Sequence, residues 1–266
     1  MYRPKFDHTF VGAMPRLTLR RCALLLVGCV VVLANVACIP QPIGANLCPQ
    51  SPTPDRHFVE FIDKTDEFTP DQQRAMEAQL RQHHHDLKTG DRLTVVLLTP
   101  GGKESLSQVL FDRCRPPSSD EADPLISNRQ KIGKRFESAF VAPFEAALQV
   151  LRVAEPAEAS PLLESIYGLA HSKELSEPAA RQRYLIFYSD MLQNSAVLSH
   201  FKPNYRFEQL VAGRSMYLDV ASLSGVEVVV NRVANRHRTH QTEAQREFWK
   251  QYFDHTHVAK LSFREL

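Results

Sequence analysis

The stretch "FIDKTDEFTP", Phe61–Pro70, turns from apolar to acidic and hydroxyl side chains within ten residues. With the residues before it, "HFVEFID" (His57–Asp63) has the apolar, aromatic-rich make-up of a strand and delivers Asp63 to its carboxyl end. The residues after it carry a helix-start signature: Thr69 in the capping position, Pro70 at the first helical position and Gln72 at capping-box spacing. Met76, Leu80 and Leu87 then recur on one face until Gly90. A strand running directly into a capped helix opens an alternating fold.

The alternation continues downstream. "RLTVVLLTP" from Arg92, "SLSQVLFDRC" from Ser105, "RYLIFYSD" ending at Asp190 and "VEVVVNRV" from Val226 read as strands. Between and after them lie helical patterns: "NRQKIGKRFESAFVAPFEAALQVLRVA", interrupted near Pro143; "SPLLESIYGLAHS", with Ser160 as cap and Pro161 first; and "QTEAQREFWKQYFDH", with Phe248, Tyr252 and Phe253 at core spacing. Strands apolar on both faces and separated by helices predict an α/β fold, a doubly wound, mostly parallel sheet flanked by helices. No internal repeat and no second domain are expected in residues 57–266.

In such sheets ligands bind beyond the carboxyl ends of the strands, where strand order reverses. Asp63 and Asp190 both end strands, and two carboxylates on one rim are comfortable only with a cation or hydrogen-bond donors between them. The strand end "FIDKTDEFT", the serine of "ASPLLESI" and "LIFYSDMLQ" together resemble the three loops of a von Willebrand factor type A (vWA) domain. That resemblance spans roughly residues 57–260. It implies a metal-ion-dependent adhesion site with Asp63 and Thr65 on the first loop, Ser160 on the second and Asp190 on the third. It also implies magnesium or manganese as the cation, an open coordination position for a carboxylate of a partner protein, and binding rather than turnover. Hard oxygen donors of this kind suit those ions. The fifth position of the first loop departs from the pattern: Glu67 stands where a serine is usual, with Glu67 or Asp66 as substitute ligands.

Other readings use the same residues. Asp63 and Asp190 serve equally as local turn caps, and Thr65 and Ser160 as helix-start hydroxyls. A metal-free structural or interaction domain is one alternative; in another, "DKTDEFT" resembles the phosphate-accepting aspartate signature of the haloacid dehalogenase superfamily, in which Asp63 would be the nucleophile of a phosphohydrolase. Asp66 stands where that signature has glycine, and no second acid follows Asp190 at the expected spacing. Consecutive His83, His84 and His85 point about 100° apart on a helix, so a solvated helix end is expected rather than a zinc site. His237, His240, His255 and His257 likewise lack completing ligands nearby. "PGGKES" reads as a turn at Gly101 and Gly102, not a phosphate loop.

The N-terminal part has a different character. Residues 1–21 include Arg16, Arg20 and Arg21, and the run from Cys22 to Ile39 contains no charged residue. This basic flank and apolar run read as a signal peptide or a membrane anchor that carries the remainder out of the cytoplasm. Lipidation at Cys29 or Cys38 and a plain anchor remain alternatives. Residues 40–56 are Pro-rich and aperiodic, a linker. The expected location is the cell envelope, on the periplasmic side of the inner membrane or lipid-anchored. Cys48 and Cys114 are the two cysteines of the exported part, and an oxidising compartment favours a disulfide between them. The net charge is +2 at pH 7, with basic residues scattered, so nothing points to nucleic acid.

Overall fold

The structure is a computed structural model that describes residues 44–49, 52–98, 107–123, 127–154, 156–157, 159–176 and 180–266. The signal or anchor segment, both lipidation candidates and the Gly101–Gly102 turn lie outside the described residues.

Six strands form the sheet: β1 (Arg56–Ile62), β2 (Arg92–Leu98), β3 (Ser107–Cys114), β4 (Gln182–Ser189), β5 (Glu227–Arg232) and β6 (Lys260–Glu265). The helices are α1 (Pro70–Asp86), α2 (Arg129–Phe136), α3 (Ala142–Val153), α4 (Leu162–Ala170), α5 (Lys173–Ser176), α6 (Phe207–Ala212) and α7 (Glu243–His255). Strand order is β3-β2-β1-β4-β5-β6, with every neighbouring pair parallel except β2–β3. This is the doubly wound, mostly parallel architecture expected from the sequence. Order reverses between β1 and β4, which are hydrogen-bonded neighbours in the register Ile62↔Tyr188. That register sets Asp63, just past β1, beside Ser189 and Asp190 at the end of β4, at the carboxyl rim.

The strands alternate their side chains between two cores, as a period of two requires. Val59 and Phe61 of β1, Leu185 and Phe187 of β4 and Val228 and Val230 of β5 pack with Leu162, Leu163 and Ile166 of α4 and with Phe248, Trp249 and Tyr252 of α7. Ile62, Leu93, Val95, Leu97 and Tyr188 pack on the other face with Met76 and Leu80 of α1 and Phe144 and Leu148 of α3.

Local signals account for most of the helix boundaries. The capping box of α1 is present: the Thr69 hydroxyl accepts from the Gln72 backbone N–H (3.2 Å), and the Gln72 side chain accepts from the Thr69 N–H (2.9 Å). The break expected near Pro143 takes the form of a π-helical turn, Glu137–Val141, joining α2 to α3. Proline lacks an N–H and crowds the carbonyl four residues earlier, so the chain widens one turn ahead of it.

Three sequence expectations are corrected. Ser160 does not cap α4: the helix starts at Leu162, and the Gln193 side chain accepts from its Leu163 N–H at 2.8 Å. The histidine run is not uniformly solvated. His83 Nδ1 meets buried Glu60 at 2.6 Å, and His84 stacks on Phe140 and Phe144 at 4.4 and 4.1 Å, while His85 alone is exposed. The chain also closes on a sixth strand, β6, which the sequence reading did not separate from the end of α7.

Cys48 and Cys114 form a disulfide, joining residues 66 positions apart and tying the segment around Leu47 to the end of β3. Between β2 and β3, Arg92 grips Asp112 with two nitrogens at 2.7 and 2.8 Å, and the Thr94 hydroxyl links Asp112 to His57. Burial and the Arg92 charge push His57 down to about 3, so this polar layer is neutral at its imidazole.

Candidate functional site

Asp63 sits immediately past β1, its N–H extending the ladder to the Tyr188 carbonyl (2.9 Å). Its carboxylate is 3% exposed and collects donors on both oxygens. Oδ1 accepts from the Thr65 N–H (3.0 Å) and the Thr65 hydroxyl (2.6 Å). Oδ2 accepts from the hydroxyls of Ser189 (2.7 Å) and Ser160 (3.2 Å). Ser160 reaches it because its backbone is locked by a two-bond bridge to Asn194, N to O at 3.1 Å and O to N at 2.8 Å. Since Gln193 caps α4, the Ser160 hydroxyl is released from capping and turned to Asp63. Lys64 points the other way, to the Leu151 carbonyl (2.8 Å), so it does not neutralise the rim.

Asp190 follows β4. Its Oδ1 accepts from the Leu192 N–H (2.8 Å) and its Oδ2 from the Asn235 amide (2.7 Å). The next residue, Met191, is 1% exposed and takes a left-handed φ of 58°, uncommon for a residue with a side chain. Neighbours hold that turn: the Met191 N–H donates to the Ser189 hydroxyl (2.8 Å), and its carbonyl accepts from Gln245 (2.6 Å) and Trp249 Nε1 (2.7 Å). A backbone outlier fixed on three sides beside two buried acids marks a site where strain is maintained by the surroundings.

The two acids sense one another. Burial, then the Asp63 charge, push the Asp190 carboxyl up from the usual carboxylate range. Burial raises Asp63 too, against the opposing pull of its Thr65, Ser189 and Ser160 hydrogen bonds. Two carboxylates this close and this dry share a deficit of positive charge.

A cavity of about 240 Å³ opens above them, and Thr65, Ser160 and Asp190 line one side of it. All four side chains named from the sequence therefore converge: three face the cavity, and Asp63 lies below, bonded to two of them. Of the two substitutes for the missing hydroxyl, Asp66 lines the cavity, whereas Glu67 is exposed and does not. Asp66 lies 3.2 Å from Arg236 and 3.7 Å from His237, which also line the cavity. Among the described residues no group of three or more His, Cys, Asp or Glu is placed to hold a metal ion, so cation binding here depends on the hydroxyl oxygens. Those oxygens fit. When the Thr65 and Ser160 hydroxyls donate to Asp63, their lone pairs remain available, and the set is of the hard-oxygen type that magnesium and manganese take.

Sequence reasoning missed Ser189, Asn235, Gln193 and Gln245. For the first two a signal existed: Ser189 adjoins Asp190, and Asn235 lies just past β5, on the same carboxyl rim. The two glutamines act across about 30 and 55 positions and had no local signature.

No family model and no curated protein matches the chain. Among solved structures it is similar to a von Willebrand factor type A protein from Catenulispora acidiphila, at 12% identity over 80% of this chain and 39% of that one, with a TM-score of 0.43. It is also similar to the VWA domain of SpRpn10 (8% identity, 79% of this chain and 87% of that one, TM-score 0.38). A mutant of the PilB minor pilin from Streptococcus sanguinis is a third (8% identity, 80% and 58%, TM-score 0.41). The chain thus spans well under half of the Catenulispora protein and somewhat over half of the pilin. With TM-scores below 0.5 and identities of 8–12%, these likenesses assign no family, and the site residues rest on this chain's own geometry.

Proposed function

We propose that the chain is a binding module of the cell envelope that engages a protein partner at the carboxyl rim, through a divalent cation held by Thr65, Ser160 and Asp190 over the charge of buried Asp63. One observation carries the reading: three hydroxyls from three separate segments converge on one buried carboxylate, with a second buried carboxylate beside it under an open cavity. When bound, magnesium or manganese would offset the paired negative charge and attract a partner's carboxylate. The chain's part is to keep the oxygens in place: the Asn194 bridge sets Ser160, the Asn235 amide sets Asp190, and the Met191 turn holds β4's end against α7.

Binding is favoured over phosphoryl transfer by the state of Asp63. A phosphate-accepting aspartate needs an oxygen free to attack, and both Asp63 oxygens lie buried under two donors each. An envelope location is supported by the basic flank and apolar run before residue 40, and by the Cys48–Cys114 disulfide, which suits an oxidising compartment.

The test is capture of partners by the full chain from a detergent-solubilised envelope fraction, with magnesium and with chelator. The reading expects a protein retained with magnesium, released by chelator and not retained by Asp190→Ala. Retention indifferent to both chelator and Asp190→Ala would overturn it.

A further inference from the structure

On the sheet face packed by α1 and α3, the buried cluster thins out toward β5, where Val229 is only partly buried. A cavity of about 210 Å³ lies there, bounded by β1, α1, β4, β5 and β6. Its aromatic lining is a stack: Phe58 and Tyr184 lie face to face with ring centres 4.7 Å apart and 9° between planes, and His83 stacks on Phe58 at 6.0 Å, so Tyr184 has one face without a ring partner among the described residues. Facing it, β6 presents Lys260, Ser262 and Arg264, every second residue and so one side of the strand. Arg264 has no ion-pair or hydrogen-bonded side-chain partner among the described residues. Glu227 is the acid that lines the cavity, and it sits beside Lys260 in the β5–β6 register, leaving Arg264 opposite Asn231.

His83 is oriented from below. Its Nδ1 is tied to Glu60, which is fully buried, so Nε2 is the ring nitrogen left for a ligand. Burial opposes charge on His83, but the hydrogen bond and charge of Glu60 prevail and raise its pKa. The second Glu60 oxygen and the Tyr188 hydroxyl, both buried, have no hydrogen-bond partner of ordinary geometry among the described residues. The Tyr188 hydroxyl lies close enough to act on the same carboxylate.

We infer that this cavity is a second ligand site, separate from the carboxyl rim, for a small aromatic carboxylate whose ring lies on the face of Tyr184 turned away from Phe58 and whose carboxylate meets Arg264 and His83. A guanidinium without a partner supplies two-pronged recognition of a carboxylate, and the outer face of Tyr184 supplies a flat apolar surface. The volume suits a single-ring acid.

The probe is benzoate, compared with its neutral isostere benzamide, in ligand-observed NMR titrations of the detergent-solubilised full chain. Benzoate is expected to bind, benzamide about tenfold or more weaker, and Arg264→Gln to lose about tenfold for benzoate alone. Arg264 is exposed on an edge strand, so its replacement should leave the melting temperature unchanged. Asp190→Ala, at the rim, should leave benzoate binding unaltered, which separates this site from the proposed cation site. Equal binding of benzoate and benzamide, no binding of either, or benzoate binding untouched by Arg264→Gln would overturn the proposal.

Discussion

At the scale of single residues, the molecule concentrates unfavourable electrostatics in Asp63 and Asp190. Both carboxyls titrate above their unfolded value near 3.9 because burial, and for Asp190 the neighbouring charge, disfavour the ionised form. The folded state therefore binds more protons than the unfolded chain over the interval between the two values. In that window stability falls as pH rises, and the benefit of protonation is complete only below the unfolded value. In chelator, the difference in melting temperature between wild type and Asp190→Asn should shift in favour of the variant from pH 4 to about pH 8. A difference constant across that range would show that Asp190 carries no raised pKa. Ser189 tests the other side of the balance. Its hydroxyl donates to buried Asp63 at 2.7 Å, and Ser189→Ala should cost about 1.5–3 kcal/mol in urea unfolding, the value of a hydrogen bond to a charged group.

At the scale of elements, the sequence was most readable where the structure is decided locally. The capping box at Thr69 and Gln72, the apolar runs of β1, β2, β4 and β5, and the core spacing of Phe248, Tyr252 and Phe253 all came from neighbours a few residues apart. What escaped depends on distant partners. Ser160 carries the local signature of a helix cap, yet Gln193 takes that task, and the hydroxyl turns to an aspartate 97 positions away. His83 and His84 stand in a polar run, but Glu60 and the Phe140–Phe144 pair draw them inward. The β6 strand is short and lies on an edge with exposed ends, so its composition gave no continuous apolar run. The same distinction gives a prediction: Gln193→Ala should destabilise by about 1 kcal/mol, as loss of a cap does, measured by chemical unfolding. Thr69→Ala should cost a similar amount. A Gln193→Ala change near zero would mean that the first turn of α4 is satisfied another way.

At the scale of the whole molecule, the site is a consequence of topology. Reversal of strand order between β1 and β4 places two strand ends side by side, so acids 127 positions apart share one rim without any local motif joining them. At the sheet's other end the Cys48–Cys114 disulfide closes a long loop, and replacing both cysteines with serine should lower stability by roughly 2–4 kcal/mol while leaving the rim intact. If Asp63, Thr65, Ser160 and Asp190 together make a cation site, calorimetric titration of the detergent-solubilised full chain with Mn²⁺ will register it. A saturable heat for a single site is expected, lost in Thr65→Val and in Asp190→Asn while the circular dichroism spectrum is unchanged. Absence of heat in the wild type, or heat that survives both substitutions, would contradict it.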